Sequence, residues 1–129
     1  MEITRFKQLV REIEGDDIDR MVYASESLQA EATFDDLPRL LELLKHDDFV
    51  VREAAAWPLS IIGASNHLIE LFDAYDRGLR EGHDNDSFTS ALIELAELHP
   101  SETRRSLEEL RSSTNETYRK YALWLEEFC

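Results

Sequence analysis

The amino-acid sequence predicts an all-α protein: four consecutive helical hairpins, eight helices in all, stacked as an α-solenoid. Three observations carry this. Apolar residues recur at i, i+3, i+4 and i+7 along most of the chain. A two-helix pattern returns after 31 to 36 residues, so neighbouring repeats must supply the core that no single hairpin can close. The 129 residues include only four Gly and three Pro, which suits helices joined by short turns.

In the first hairpin, Phe6, Leu9, Val10 and Ile13 lie on one face of a helix over residues 3–14. Gly15-Asp16-Asp17 ends it, the glycine read as a C′ residue and an aspartate as the N-cap of a second helix from about Ile18 to Ala30. Thr33-Phe34-Asp35-Asp36 links to the central hairpin, where Leu37, Leu40, Leu41 and Leu44 mark a helix over 37–45 with Pro38 in its first turn. Asp47-Asp48 turns the chain into a fourth helix that ends near Gly63. Pro58 lies inside that helix and is expected to kink it near Ala54. A shift of 31 superposes the first hairpin on the central one, matching Phe6, Leu9, Val10, Ile13, Asp16, Asp17, Ile18, Ala24 and Leu28 with residues of like chemistry.

A fifth helix is expected from Ser65-Asn66, with Leu68, Leu71, Phe72, Tyr75 and Leu79 as its buried stripe. The longest turn, Glu81 to Asp86, precedes a sixth helix from about Ser87 to Leu98, whose Ala91, Leu95 and Leu98 match Ala55, Leu59 and Ile62 at a shift of 36. Ser101 is read as the N-cap of a seventh helix carrying Leu107 and Leu110, and the eighth runs from about Glu116 to Phe128. At a shift of 67, Tyr118 to Trp124 falls on Val51 to Trp57, so Ala24, Ala55, Ala91 and Ala122 mark four successive second helices. The repeats occupy approximately 1–32, 33–64, 65–99 and 100–129 of one domain, 1–129.

The run Leu37-Pro38-x-Leu40-Leu41-x-Leu43-Leu44, then Asp47-Asp48, Val51-Arg52, Ala55-Ala56, Leu59 and Ile62-Gly63, resembles the HEAT-like repeat of the phycobilisome-lyase type. The likeness covers one full repeat closely, the first and last fairly, and the third weakly. It departs at Pro58, and at Met21 and Phe88 where the repeat carries arginine. The resemblance implies a right-handed α-solenoid acting as a binding scaffold through the second helix of each pair. It also implies two narrower roles, a lyase-like or maturation subunit, or a small acidic immunity protein encoded beside a bacterial toxin. Fold alone does not choose among them.

Charge narrows the choice. Against 28 acidic residues stand 14 basic ones, a formal charge of -14, which repels nucleic acid and anionic membranes and attracts cationic proteins. The single cysteine, Cys129, rules out an internal disulfide and points to a reducing compartment. Met1-Glu2-Ile3-Thr4-Arg5 shows no basic and apolar leader pattern, and no run of eighteen apolar residues occurs, so a cytoplasmic protein is expected.

The candidate partner-binding residues are Asp16, Asp17, Asp19, Asp47, Asp48, Asp84 and Asp86, with Trp57 and Trp124. The aspartates sit between the two helices of a pair, so stacking would line them along one edge. Locally they read as N-caps. Functionally they read as an anionic ridge for lysines and arginines, and both hold if one aspartate caps while its neighbour points outward. The tryptophans read as core packing or, on an open face, as anchors for a partner. Phe128 is expected to fold back on Leu110 or to mark a dimer contact.

Catalytic and metal chemistry find little support. A calcium loop starting at Asp84 would need an oxygen ligand at 88 and Glu at 95, where the chain has Phe88 and Leu95. His46, His67, His83 and His99 lack zinc spacing and read as helix-end or surface residues. No Ser/His/Asp or Cys/His set and no phosphate loop occurs. The expectation is therefore a non-catalytic module without cofactor or metal. Its partner is a basic protein, most concretely a cationic toxin domain such as a nuclease, and the alternative role is a scaffold or adaptor.

Overall fold

A computed structural model describes residues 1–129. It is all-helical, with α1 (Ile3–Glu14), α2 (Ile18–Glu31), α3 (Leu37–Leu43), α4 (Phe49–Ile62), α5 (Leu68–Arg80), α6 (Asp86–Leu98), α7 (Pro100–Arg111) and α8 (Glu116–Glu126), plus 3-10 turns at Phe34–Asp36 and Ser65–His67. The packing order is simple. α1 lies on α2, α3 on α4 and α7 on α8. The even-numbered helices form a row, α2 against α4, α4 against α6 and α6 against α8. α1 also reaches α4, and α5 reaches α8.

One contiguous apolar cluster runs from Phe6 to Leu125. Ala24, Ala55, Ala91 and Ala122 are fully buried in the row of even helices, where a small side chain lets two backbones approach. Leu9, Ile13, Leu28, Leu40, Leu59 and Leu92 are sealed from water, each contributing about 2 kcal/mol of transfer free energy. The matched positions bury alike: Leu9 and Ile13 in α1, Leu40 in α3 and Leu44 just past its end.

Several expectations need correction, mostly at helix ends. α3 stops at Leu43 because the next three amides close i to i+3 bonds, Leu44 to Leu41, Lys45 to Glu42 and His46 to Leu43, tightening the chain before its turn. The same tightening at Glu127, Phe128 and Cys129 ends α8 at Glu126. α5 begins at Leu68, after the 3-10 turn rather than at Ser65. Ser101 does not cap α7: the helix starts at Pro100, whose fixed φ and missing N–H suit the first helical position, so His99 stands at the cap.

Gly15 follows α1 with extended backbone, φ −78° and ψ −179°, so no left-handed C′ residue ends that helix. Leu79 is 47% exposed, and Ala74 and Gly78 take the inward positions on α5. Gly78 is required there, because a Cβ would sit 2.5 Å from Oδ1 of the buried Asn85. α4 continues through Pro58, and just beyond it the Ser60 hydroxyl donates to the Ala56 carbonyl at 2.9 Å. Phe128 packs edge-on against Trp124 with ring centres 5.7 Å apart.

Candidate partner-binding edge

The turns inside the hairpins are built from short polar side chains that close back on the next helix. Asp17 Oδ1 accepts from the Arg20 amide at 3.1 Å and Asp48 Oδ1 from the Val50 amide at 2.9 Å, so both act as N-caps. Asp84 Oδ1 accepts from the Asp86 amide at 3.0 Å, while Asn85 occupies the cap position of α6. Before α8, Asn115 Oδ1 accepts from the Tyr118 amide at 3.1 Å. Asp16, Asp19 and Asp86 are exposed on the same turns.

The turns before α4 and α8 match in detail, 67 residues apart. Asp48 N–H donates to His46 Nδ1 and Asn115 N–H to Ser113 Oγ, at 2.9 and 3.0 Å. Arg52 Nη1 donates to the His46 carbonyl at 2.9 Å, and Arg119 Nη1 to the Ser113 carbonyl at 2.7 Å. Repetition thus extends from apolar pattern to hydrogen bonding.

Side chains also tie successive turns together. His46 Nε2 lies 3.3 Å from Glu14 Oε1, joining the end of α1 to the α3–α4 turn. From there Asp47 meets Arg77 at 3.2 Å, and Arg77 Nε donates to Glu81 Oε2 at 3.0 Å. Arg52 closes the set: fully buried, it donates to the Asp47 carbonyl at 3.0 Å and to Glu81 Oε1. Its partner ring Phe49 stacks on His83 at 4.3 Å. Hydrogen bonds from Arg77 and Arg52 outweigh desolvation and hold the Glu81 carboxyl below its ordinary range.

Arg52 stood in the repeat motif but not among the candidate site residues. Its signal was present all the same: one arginine between Val51 and the Ala54-Ala55-Ala56 run, on the most apolar helix, marks a buried charge that needs partners. Asp36 was missed too, although Thr33-x-x-Asp36 has the capping-box spacing that turns the second of the two acids back on Thr33. It is buried and accepts from the Thr33 amide at 2.8 Å, from the Met1 ammonium at 3.2 Å and from Arg39. Burial pushes its carboxyl up, but these donors win and hold it below the ordinary value.

The two tryptophans part company in space. Both are half-buried. Trp57 Nε1 donates to Ser87 Oγ at 3.0 Å, reaching the first turn of α6, whereas Trp124 stacks on Tyr75 with ring centres 6.1 Å apart. Near Trp57 lies Glu53, pushed up first by burial and then by the charge of Asp84. Near Trp124, Tyr121 donates to Asp76 and Tyr118 to Asp73, each at 2.7 Å. The bond to Asp73 and burial push the Tyr118 hydroxyl up to about 12, and burial with the bond to Asp76 raises that of Tyr121.

Contacts join neighbouring turns, Glu14 with His46 and Phe49 with His83, and Trp57 reaches Ser87 beside Asp86. Trp124 lies in an aromatic group between α5 and α8. No three His, Cys, Asp or Glu side chains converge to hold a metal ion, and no helix is long and apolar enough to cross a membrane. No protein-family model, curated protein or solved structure matches the chain.

Proposed function

We propose that the eight helices form a HEAT-like α-solenoid that works as a non-catalytic protein-binding module. Its most concrete form is an immunity-type inhibitor that occupies the positive surface of a cationic toxin, such as a nuclease. The superhelical reading is supported by the row α2, α4, α6, α8 and by the matched turns before α4 and α8. One observation carries the binding reading: aspartates recur in three successive interhelical turns of a chain with net charge -14, and Asp16, Asp19 and Asp86 stand exposed there, on what we propose is a shared edge.

Such an edge raises the rate of encounter with a basic partner more than it raises affinity. The test is capture of the partner from the native host, followed by stopped-flow association. Asp47→Lys together with Asp48→Lys is expected to slow association, and added salt to slow it further. Equal association at low and high salt would overturn the electrostatic reading. A captured partner whose own activity is unchanged in the complex would assign the chain a scaffold or adaptor role instead of an inhibitory one.

A further inference from the structure

The chain also repeats at a longer step than one hairpin. A shift of 67 lays Glu14-Gly15 on Glu81-Gly82, Asp17 on Asp84, Ala24 on Ala91, Leu28 on Leu95 and Leu40 on Leu107, and the last three pairs are fully buried at both positions. The same shift relates the matched turns before α4 and α8. Two hairpins therefore form a larger unit, and the joint between the two units lies where α4 meets α6.

That joint has a polar contact that the far side of α8 lacks. Arg52 donates to Glu81 of the following unit and is fully buried, as is Ala56 one turn along α4. Their counterparts on α8, Arg119 and Leu123, have no such cover. Arg119 is half-buried and bonds only the Ser113 carbonyl, and Leu123 is 56% exposed. On the opposite side of the molecule the counterpart of Glu81 is Glu14, whose side chain is 41% exposed and uses only Oε1, on His46 at 3.3 Å.

We propose that a second copy of this chain docks head-to-tail, its Glu14 meeting Arg119 as Glu81 meets Arg52, and its α2 lying on the far side of α8 as α6 lies on α4. A neighbouring position adds to the fit. Within the chain Glu53 faces Asp84, two acids, whereas between copies the counterparts are Lys120 and Asp17, of opposite charge. One matched pair opposes the contact: Phe49 stacks on His83 inside the chain, and their counterparts Glu116 and Asp16 are both acids, exposed and so screened by water. Trp124 is already committed to Tyr75, so the Trp57–Ser87 bond has no equivalent. The contact joins different surfaces of the two copies and therefore allows rings or longer rows. Two copies of net charge -14 repel at long range, and about 0.15 M salt confines that repulsion to roughly 8 Å. This inference rests on the solenoid reading and extends it from one chain to several.

The experiment is sedimentation velocity on the full chain, from roughly 10 μM to 1 mM in about 0.15 M sodium chloride. The weight-average mass is expected to rise with concentration. Arg119→Glu or Glu14→Arg alone should weaken association about tenfold, and an equimolar mixture of the two variants should recover it, because every joint in the mixture again pairs opposite charges. The two variants move the net charge in opposite directions, so general repulsion does not weaken both. A mass that stays at one chain throughout the series, or a mixture that associates no better than its parts, would overturn the proposal. Small-angle scattering of the dilute parent separates this contact from the solenoid reading. A curve that matches the row of stacked hairpins, with no self-association, strikes the head-to-tail contact alone. A curve that departs from that row strikes the solenoid reading as well.

Discussion

At the scale of the residue, Arg52 decides more than any other polar side chain. Its guanidinium is wholly buried; Nη1 donates to the His46 and Asp47 carbonyls and Nη2 to Glu81, while Nε is left without a partner, so it fastens the α3–α4 turn to the end of α5. Arg52→Ala would empty a large buried volume and leave two turn carbonyls without their donor. A loss of about 3 kcal/mol in urea denaturation at neutral pH is expected. The pH dependence has a definite sign. Glu81 is held below its ordinary value, so its contribution is complete above the unfolded carboxylate range and fades as pH falls through the depressed folded value. The gap between Arg52→Ala and the parent should therefore narrow in acid. A gap that widened in acid would show that the Arg52–Glu81 contact contributes little.

At the scale of the element, helix interiors were legible and several ends were not. The interiors follow apolar spacing, which is a property of the chain itself: Phe6, Leu9 and Ile13 are buried where their period puts them. The ends depend on which backbone bond closes last, as at Leu43, where i to i+3 bonds shorten α3. The end of α4 combines both kinds of information. Gly63 lies at φ 81°, in the left-handed region, and the His99 ring stands 3.0 Å from where a Cβ would project. His99 Nε2 also bonds the Ile61 carbonyl at 3.1 Å, so the α6–α7 junction caps the C-terminus of α4. Gly63→Ala meets backbone strain and that ring together, and should lower stability by about 1–2 kcal/mol in a thermal melt. An unchanged melting temperature would mean that the ring moves aside and the strain is relieved elsewhere.

At the scale of the whole molecule, charge and packing pull in opposite directions. A net charge of -14 on 129 residues repels itself in the compact state, and salt screens that repulsion over about 8–10 Å. The melting temperature is therefore expected to rise by roughly 3 °C between low salt and about 0.5 M sodium chloride. A fall would mean that ion pairs such as Asp47–Arg77 outweigh the repulsion. From the sequence alone came eight helices, the buried alanines at 24, 55, 91 and 122, and the acidic balance of the chain. Each of these follows from spacing or composition, which are local or additive. Only the tertiary structure decided that Arg52 meets Glu81, that Asp36 meets the Met1 ammonium, and that Trp57 reaches α6 while Trp124 joins Tyr75. Those placements depend on which helices meet, and side chains distant in sequence find one another only after the backbone has brought their helices into contact.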